Sequence, residues 1–342
     1  MVGPRRGDGV SPGPRAGRPY TGPGEVARRA ARRAVMSTGR MHADEAETGR
    51  TLVRRLLAAQ FPQWAHHPIE PVRPAGTSNA MYRLGEDLVV RLPRIAGAAA
   101  DVTREHHWLP RLAPELPVAV PVPLGLGTPA CGYPWPWSVY RWLDGETPAV
   151  GAGGLPDPAR LAGDLADLLH ALRRIDPADG PASYRSEPLA ARDTATRSAL
   201  AALRATGDTK DAEDADAAAE VWETSLRTAG HPGPAGWIHA DLQPGNVLLV
   251  DGRLGAVIDF GCAGTGDPAV DLIAAWYLLP AAARADFRAR LGDDDAAWSR
   301  GRGWALSIAL MEASYYRTTN PAMAATARHV IGEVVADHRQ GR

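Results

Sequence analysis

The sequence is short of several residues on which common kinds of protein depend. Its 342 residues include two cysteines, Cys131 and Cys262, far apart and without metal-ligand spacing. That suggests neither a disulfide framework nor a zinc site, and it fits a reducing cytoplasm. Lysine occurs once, at Lys210, so nearly every basic side chain is arginine. No apolar run approaches the roughly 18 residues of a membrane-spanning helix, and the N-terminus lacks the apolar core of a signal peptide. The formal charge of −1 carries no basic excess, which argues against a nucleic-acid partner.

What remains is enough to build a core: 45% of the residues are hydrophobic, sufficient for one large or two moderate domains. Residues 1–40 are the exception, rich in Gly, Pro and Arg with almost no large apolar side chains. Such a segment cannot offset the entropy of ordering, and a disordered basic tail is expected there, with Met36 and Met41 as alternative starts.

Beyond the tail the apolar pattern organises the chain. Leu52, Val53, Leu56 and Leu57 have helical spacing and stop before Pro62. "AMYRLG" and "LVVRLPR" flank Gly85-Glu86-Asp87 as a hairpin, a helix is expected over residues 101–113, and "WSVYRWL" reads as a further strand. After Asp144 the character becomes helical. Asp157-Pro158 opens a helix whose Leu161, Leu165, Leu168, Leu169 and Leu172 share one face. The acidic, apolar-poor stretch 207–220 is expected to be a solvated loop or helix face. A nucleotide-binding half over 41–142 and a helical half over 143–342 follow from this change.

The chemistry concentrates in "WIHADLQPGNVLLVDGRLGAVIDFG", residues 237–261. With Asp251-Gly252 as a two-residue turn, Asn246 is expected opposite Val257, and Asp259 lies two positions further along. A diagonal neighbour is about 7–8 Å away, so Asn246 and Asp259 project toward one spot. An amide oxygen and a carboxylate there suit magnesium, which takes hard oxygen ligands and shares its shell with phosphates. Asp241, in a loop made irregular by Pro244 and Gly245, can face the same cavity and accept a proton from an attacking alcohol.

His239-Ala240-Asp241, Asn246 and Asp259-Phe260-Gly261 resemble the catalytic loop and metal motif of protein-kinase-like phosphotransferases. "HADLQPGNVL" and "IDFGCAGTGDPAVDLI" more narrowly resemble the aminoglycoside phosphotransferase family. That resemblance implies a bilobal α+β fold, with a small N-terminal antiparallel sheet lobe and a larger helical C-terminal lobe. It implies Asp241 as catalytic base, Asn246 and Asp259 as magnesium ligands, His239 as a brace for the loop, and Asp271 as the anchor of its backbone. Asp267 reads equally well as a helix cap before Pro268. Gln243 departs from protein kinases, which place a lysine there.

A separate argument concerns the nucleotide. Glu105 shares a helix face with Trp108, Leu109 and Leu112, and a buried carboxylate demands a partner. Arg91 sits inside the apolar run 88–92, and the two charges resolve each other as one ion pair. The resemblance makes Arg91 the substitute for a phosphate-binding strand lysine, with Val89 over the base. Gly76, Thr77, Ser78 and Asn79 are candidates for a phosphate-covering loop, and backbone groups from Tyr140 to Trp142 for purine contact. A structural Arg91–Glu105 bridge without nucleotide contact is the competing reading.

The reaction so implied moves the γ-phosphate of ATP or GTP, with Mg2+, to a hydroxyl of a small molecule, an aminoglycoside or another antibiotic. A metabolic kinase acting on an amino alcohol or sugar, and a catalytically silent nucleotide-binding module, are the alternatives. On the acceptor side Glu312, Tyr315, Tyr316 and Asn320 are candidates. The core reading is preferred for the two tyrosines and a structural one for His170. Oligomeric state does not follow from the sequence.

Overall fold

The computed structural model describes residue 46 and residues 48–72, 78–149, 154–206 and 209–341. The expected tail over residues 1–40 lies outside them, as do Gly76 and Thr77 of the expected phosphate loop.

The apolar stripe near the N-terminus forms α1 (Arg50–Gln60), and its Val53, Leu56 and Leu57 are buried. They pack on one face of a five-stranded antiparallel sheet made of β1 (Ile69–Pro71), β2 (Asn79–Leu84), β3 (Leu88–Pro93), β4 (Pro123–Gly127) and β5 (Trp137–Arg141), in the order β1-β2-β3-β5-β4. The β2–β3 hairpin turns at Gly85-Glu86-Asp87, where Gly85 takes φ 62°, a value that favours glycine. Successive side chains on β3 alternate between faces. Val90 and Leu92 therefore join the core beneath α1, while Val89 joins the main core on the other side.

That second face is covered by α2 (Ala96–Leu112), which begins five residues before the expected start at residue 101. The added turn is Ala96-Gly97-Ala98-Ala99-Ala100. Alanine has high helix propensity but gives no apolar stripe to read, and Ala98 and Ala99 are buried nonetheless.

The rest is mainly helical. Helix α3 (Pro158–Arg174) starts on the Asp157 cap, whose carboxylate accepts from the Arg160 N–H at 3.0 Å. Then come α4 (Asp193–Arg204), α5 (Thr209–Arg227), β6 (Gly236–Ile238), β7 (Val247–Val250), β8 (Arg253–Val257), β9 (Gly264–Gly266), α6 (Ala274–Tyr277), α7 (Ala281–Leu291), α8 (Asp295–Tyr315) and α9 (Pro321–Gln340). Helix α8 runs through the centre of the helical part, with Trp304, Leu306, Ala309 and Leu310 buried against its neighbours.

Residues 209–220 of the acidic stretch belong to α5 and are not simply a solvated face. Ala215, Ala218, Val221 and Trp222 bury one side of the helix, and buried Asp211 pairs with Arg328 of α9. Alanines small enough to pack closely were what the apolar count overlooked.

Candidate active site

The two-stranded β7–β8 hairpin pairs Val250 with Arg253 and Leu249 with Leu254, as the two-residue turn requires. The register then shifts, and Val247, not Asn246, faces Val257. The cause is a bulge at Gly255, where an added Cβ would stand 2.6 Å from Val250 Cγ2. Asn246 instead accepts from the Ile258 N–H at 2.9 Å through its backbone carbonyl. The expected pairing of Asn246 with Val257 is thus one residue out. Asn246 still ends close to the Ile258-Asp259 step.

Between β6 and β7 the chain makes a tight, internally bonded loop. Buried Asp271 accepts from the His239 N–H at 2.9 Å and from the Ala240 N–H at 2.6 Å. Burial pushes its carboxyl up, against the pull of His239 and those two amides. The Asp241 N–H donates to His239 Nδ1 at 3.2 Å, which leaves Nε2 to carry the proton and donate to the Ile258 carbonyl at 3.1 Å. The ring of His239 also stacks edge-on against Phe260, with centroids 4.6 Å apart. Ala240 takes φ 67°, a left-handed conformation uncommon for a residue with a side chain. The reversal it makes brings the Asp241 carboxylate beside Asn246, whose Nδ2 donates to Asp241 Oδ2 at 2.8 Å and to its carbonyl at 2.9 Å.

Asp259 lies in the left-handed region at φ 62°, and its side chain is 44% exposed. Its Oδ1 accepts from Arg91 Nη2 at 2.8 Å. The same guanidinium places Nη1 2.7 Å from both oxygens of Glu105. The Asn79 carboxamide, with its oxygen turned inward, accepts from Nη2 at 2.9 Å and Nε at 3.1 Å. Burial by itself would lower Arg91, but the Glu105 and Asp259 carboxylates carry it well above its usual range. The structure thus gathers Asp241, Asn246, His239 and Asp271 in one network and Arg91, Glu105, Asn79 and Asp259 in another. The hydrogen bonds of Ile258 to Asn246 and His239 join the two.

Residues 68–304, well over half of the chain, match the family model of the phosphotransferase enzyme family. The chain belongs to that family. It is similar to the solved GDP and kanamycin complex of APH(2")-IIIa, at 20% identity and a TM-score of 0.64 over 83% of this chain and 98% of that one. Macrolide 2'-phosphotransferase MphH from Brachybacterium faecium gives 24% and 0.54 over 83% and 98%. The streptomycin–ATP–APH(2")-IIa ternary complex gives 15% and 0.52 over 84% and 97%. At these identities the likeness is one of fold: a small antiparallel sheet set on a helical body, the α+β architecture of antibiotic phosphotransferases. Among curated proteins none matches the chain in sequence.

In this phosphotransferase the expected nucleotide contacts are unevenly placed. All five N–H groups of Arg91 are engaged by Glu105, Asp259 and Asn79, so in this state the guanidinium has none left for a phosphate. The N–H groups of Arg141 and Trp142 donate to the Val122 and Asp87 carbonyls at 3.0 and 2.7 Å, which removes both as purine donors. The Tyr140 hydroxyl points inward to Glu105 at 2.5 Å, and the Trp142 ring lies under the Arg83 guanidinium. Val89 retains 6% exposure, and the Ser78 carbonyl accepts from the Arg94 N–H.

Several residues meet the site without having been singled out in these roles. Arg185 Nη1 donates to Asp241 Oδ1 at 2.8 Å and to the Ala240 carbonyl. Gln243 Nε2 bridges Asp241 Oδ1 at 3.2 Å and Glu312 Oε1 at 2.8 Å, while Glu312 Oε2 accepts from the Tyr277 hydroxyl at 2.8 Å. Burial pushes Glu312 up, offset by the Gln243 and Tyr277 bonds. Glu312, undecided in the sequence, therefore faces the loop that carries Asp241 and Gln243. Tyr315 is 52% exposed and leaves the core, contrary to the preferred reading. Asn320 caps α9 through the Met323 N–H, His170 bonds the Arg290 carbonyl, and Asp267 caps the turn at Ala269 while pairing with Arg300.

Among the described residues, no group of three or more His, Cys, Asp or Glu can hold a metal unaided. A pair of oxygen ligands that relies on phosphates for the rest of the shell is what magnesium accepts. Asn246 fits, because its nitrogen is spent on Asp241 and its oxygen remains. Asp259 fits too, half-exposed and with one oxygen on Arg91.

Proposed function

We propose that Asp241 is the base of a phosphoryl transfer from a magnesium-bound nucleoside triphosphate to a hydroxyl of a small molecule. The observation that carries this reading is the Asn246 side chain, whose nitrogen is tied to Asp241 and whose oxygen is left to act as a ligand, so that one amide would link base and metal. Magnesium, held by Asn246 and Asp259, would supply charge neutralisation at the phosphates. Asp241 accepts the hydroxyl proton as the acceptor oxygen bonds to the γ-phosphorus and the bond from that phosphorus to the β,γ-bridging oxygen breaks. His239 and Asp271 hold the loop backbone, so positioning and electrostatics do most of the work.

The acceptor class follows the relatives, whose names are those of aminoglycoside and macrolide phosphotransferases. We infer an antibiotic hydroxyl, with ATP or GTP as donor and the cytoplasm as the compartment. Residues 41–142 would form the nucleotide half and residues 143–342 the catalytic and acceptor half.

The test is transfer of labelled γ-phosphate from MgATP and MgGTP to a panel of aminoglycosides, macrolides, amino alcohols and sugars. Transfer to an antibiotic that disappears in Asp241→Ala, with nucleotide binding retained, is the expected result. Undiminished transfer by Asp241→Ala would refute the role. Transfer only to amino alcohols or sugars would move the protein to the metabolic alternative.

A further inference from the structure

Arg185 comes from a segment outside every motif, yet it touches the Asp241 carboxylate. That segment is anchored rather than loose. The Thr265 N–H donates to the Pro181 carbonyl at 2.7 Å and the Ser183 N–H to the Thr265 carbonyl at 3.0 Å, so residues 181–183 lie along β9 as a short parallel extension. The Ser183 hydroxyl donates to the Cys262 carbonyl at 2.7 Å and accepts from the Arg185 N–H at 3.1 Å. Gly264 permits the approach, since a Cβ there would stand 2.5 Å from the Pro181 oxygen and 2.6 Å from the Ser183 nitrogen.

Nη1 of the Arg185 guanidinium is used on Asp241 and the Ala240 carbonyl. Among the described residues its Nε and Nη2 make no hydrogen bond, and the side chain is 17% exposed. A base lies about 3 Å from the hydroxyl it deprotonates, and that oxygen about 3–3.5 Å from the atom it attacks. A cation bonded to the base therefore lies within one arginine side chain's reach of the group in transit. The other side chain on that carboxylate oxygen, Gln243, is neutral.

We propose that Arg185 is a catalytic residue whose unused guanidinium edge binds the phosphoryl group during its transfer, an inference that rests on the phosphotransferase reading above. As the bond to the leaving nucleoside diphosphate breaks and the bond to the acceptor oxygen forms, negative charge spreads over the three non-bridging oxygens. A guanidinium placed there stabilises that charge more than it stabilises the bound substrate.

The experiment is calorimetric titration of the full chain with magnesium and ADP or GDP, with and without aluminium fluoride, a mimic of the phosphoryl group in transit. Wild type, Arg185→Gln and Arg185→Lys are compared. Glutamine keeps a donor for Asp241 without the charge, and lysine restores the charge. Fluoride is expected to tighten diphosphate binding by wild type about 100-fold. In Arg185→Gln the diphosphate should bind as in wild type while the tightening is lost, and Arg185→Lys should regain part of it. Tightening that survives in Arg185→Gln overturns the proposal. So does loss in both variants, which would mark a structural role. Wild type that binds nucleotide without tightening removes this inference alone, whereas wild type that binds no nucleotide removes the phosphotransferase reading as well.

Discussion

Arg91 and Asp259, 168 positions apart in sequence, meet at 2.8 Å. Through that bond, and those to Glu105 and Asn79, strand β3 and helix α2 are fastened to the turn that follows β8. The same Asp259 is the residue proposed to hold the metal, so on that proposal one carboxylate would serve the apo fold and the loaded site in turn.

Glu105 is 1% exposed, and without Arg91 its charge would be left in the interior. Arg91→Met should lower stability by about 3–5 kcal/mol. Arg91→Met combined with Glu105→Leu should recover most of that loss, because the unpaired charge is gone. Urea unfolding of both variants and of Glu105→Leu gives the coupling, and strictly additive losses would disprove it.

Removing divalent ions with a chelator should stop transfer while leaving the fold intact. Arg91 keeps Asp259 paired in the absence of metal, so the melting temperature should fall by no more than a few degrees, under about 1 kcal/mol. A cooperative collapse on chelation would show that the ion is structural.

Asp101 lies one helical turn before Glu105, with Oδ1 buried and unpartnered and the Tyr184 hydroxyl bonded to the carboxyl. Burial raises it to about 6, despite the opposing pull of Arg91. A carboxyl raised in the folded state favours the protonated form. Its contribution is therefore fully present below the unfolded value near 3.8 and is lost as pH rises to about 6. In metal-free buffer, Asp101→Asn should flatten that decline and be more stable at neutral pH by about 1 kcal/mol, a figure reduced for partial solvation. Melting curves from pH 4 to pH 7 decide it, and a parallel decline in the variant would count against it.

The bulge at Gly255 sets where Asn246 and Asp259 end. Gly255→Val should strain the hairpin against Val250 and cost about 1–3 kcal/mol. Magnesium-dependent nucleotide affinity should weaken more than metal-free affinity. Equal weakening of both would separate the bulge from the metal site.

What was legible in the sequence depended on whether a local pattern carried it. The Arg91–Glu105 pair was visible because each charge breaks an apolar run whose period is known. Asp241, Asn246 and Asp259 stood out through their resemblance to a kinase-like motif, whereas the turn and strand period placed Asn246 one residue away from its actual partner. The shift at Gly255 was hinted at by a glycine inside a strand, but its consequence depends on the Val250 side chain across the hairpin. Arg185 gave no signal, because 56 residues separate it from Asp241 and the backbone bonds that deliver it run to β9. The full engagement of Arg91 was equally hidden, since the third and fourth oxygens come from Asn79 and Asp259 on other segments.

Gly264 has a wider consequence. It carries no reactive group, yet its lack of a side chain lets two stretches of backbone lie in contact. One methyl group at that position would force the 181–183 segment and β9 apart and so change how Arg185 meets Asp241. The spacing between the cation and the acid is thus governed by a residue that would pass for an inert spacer.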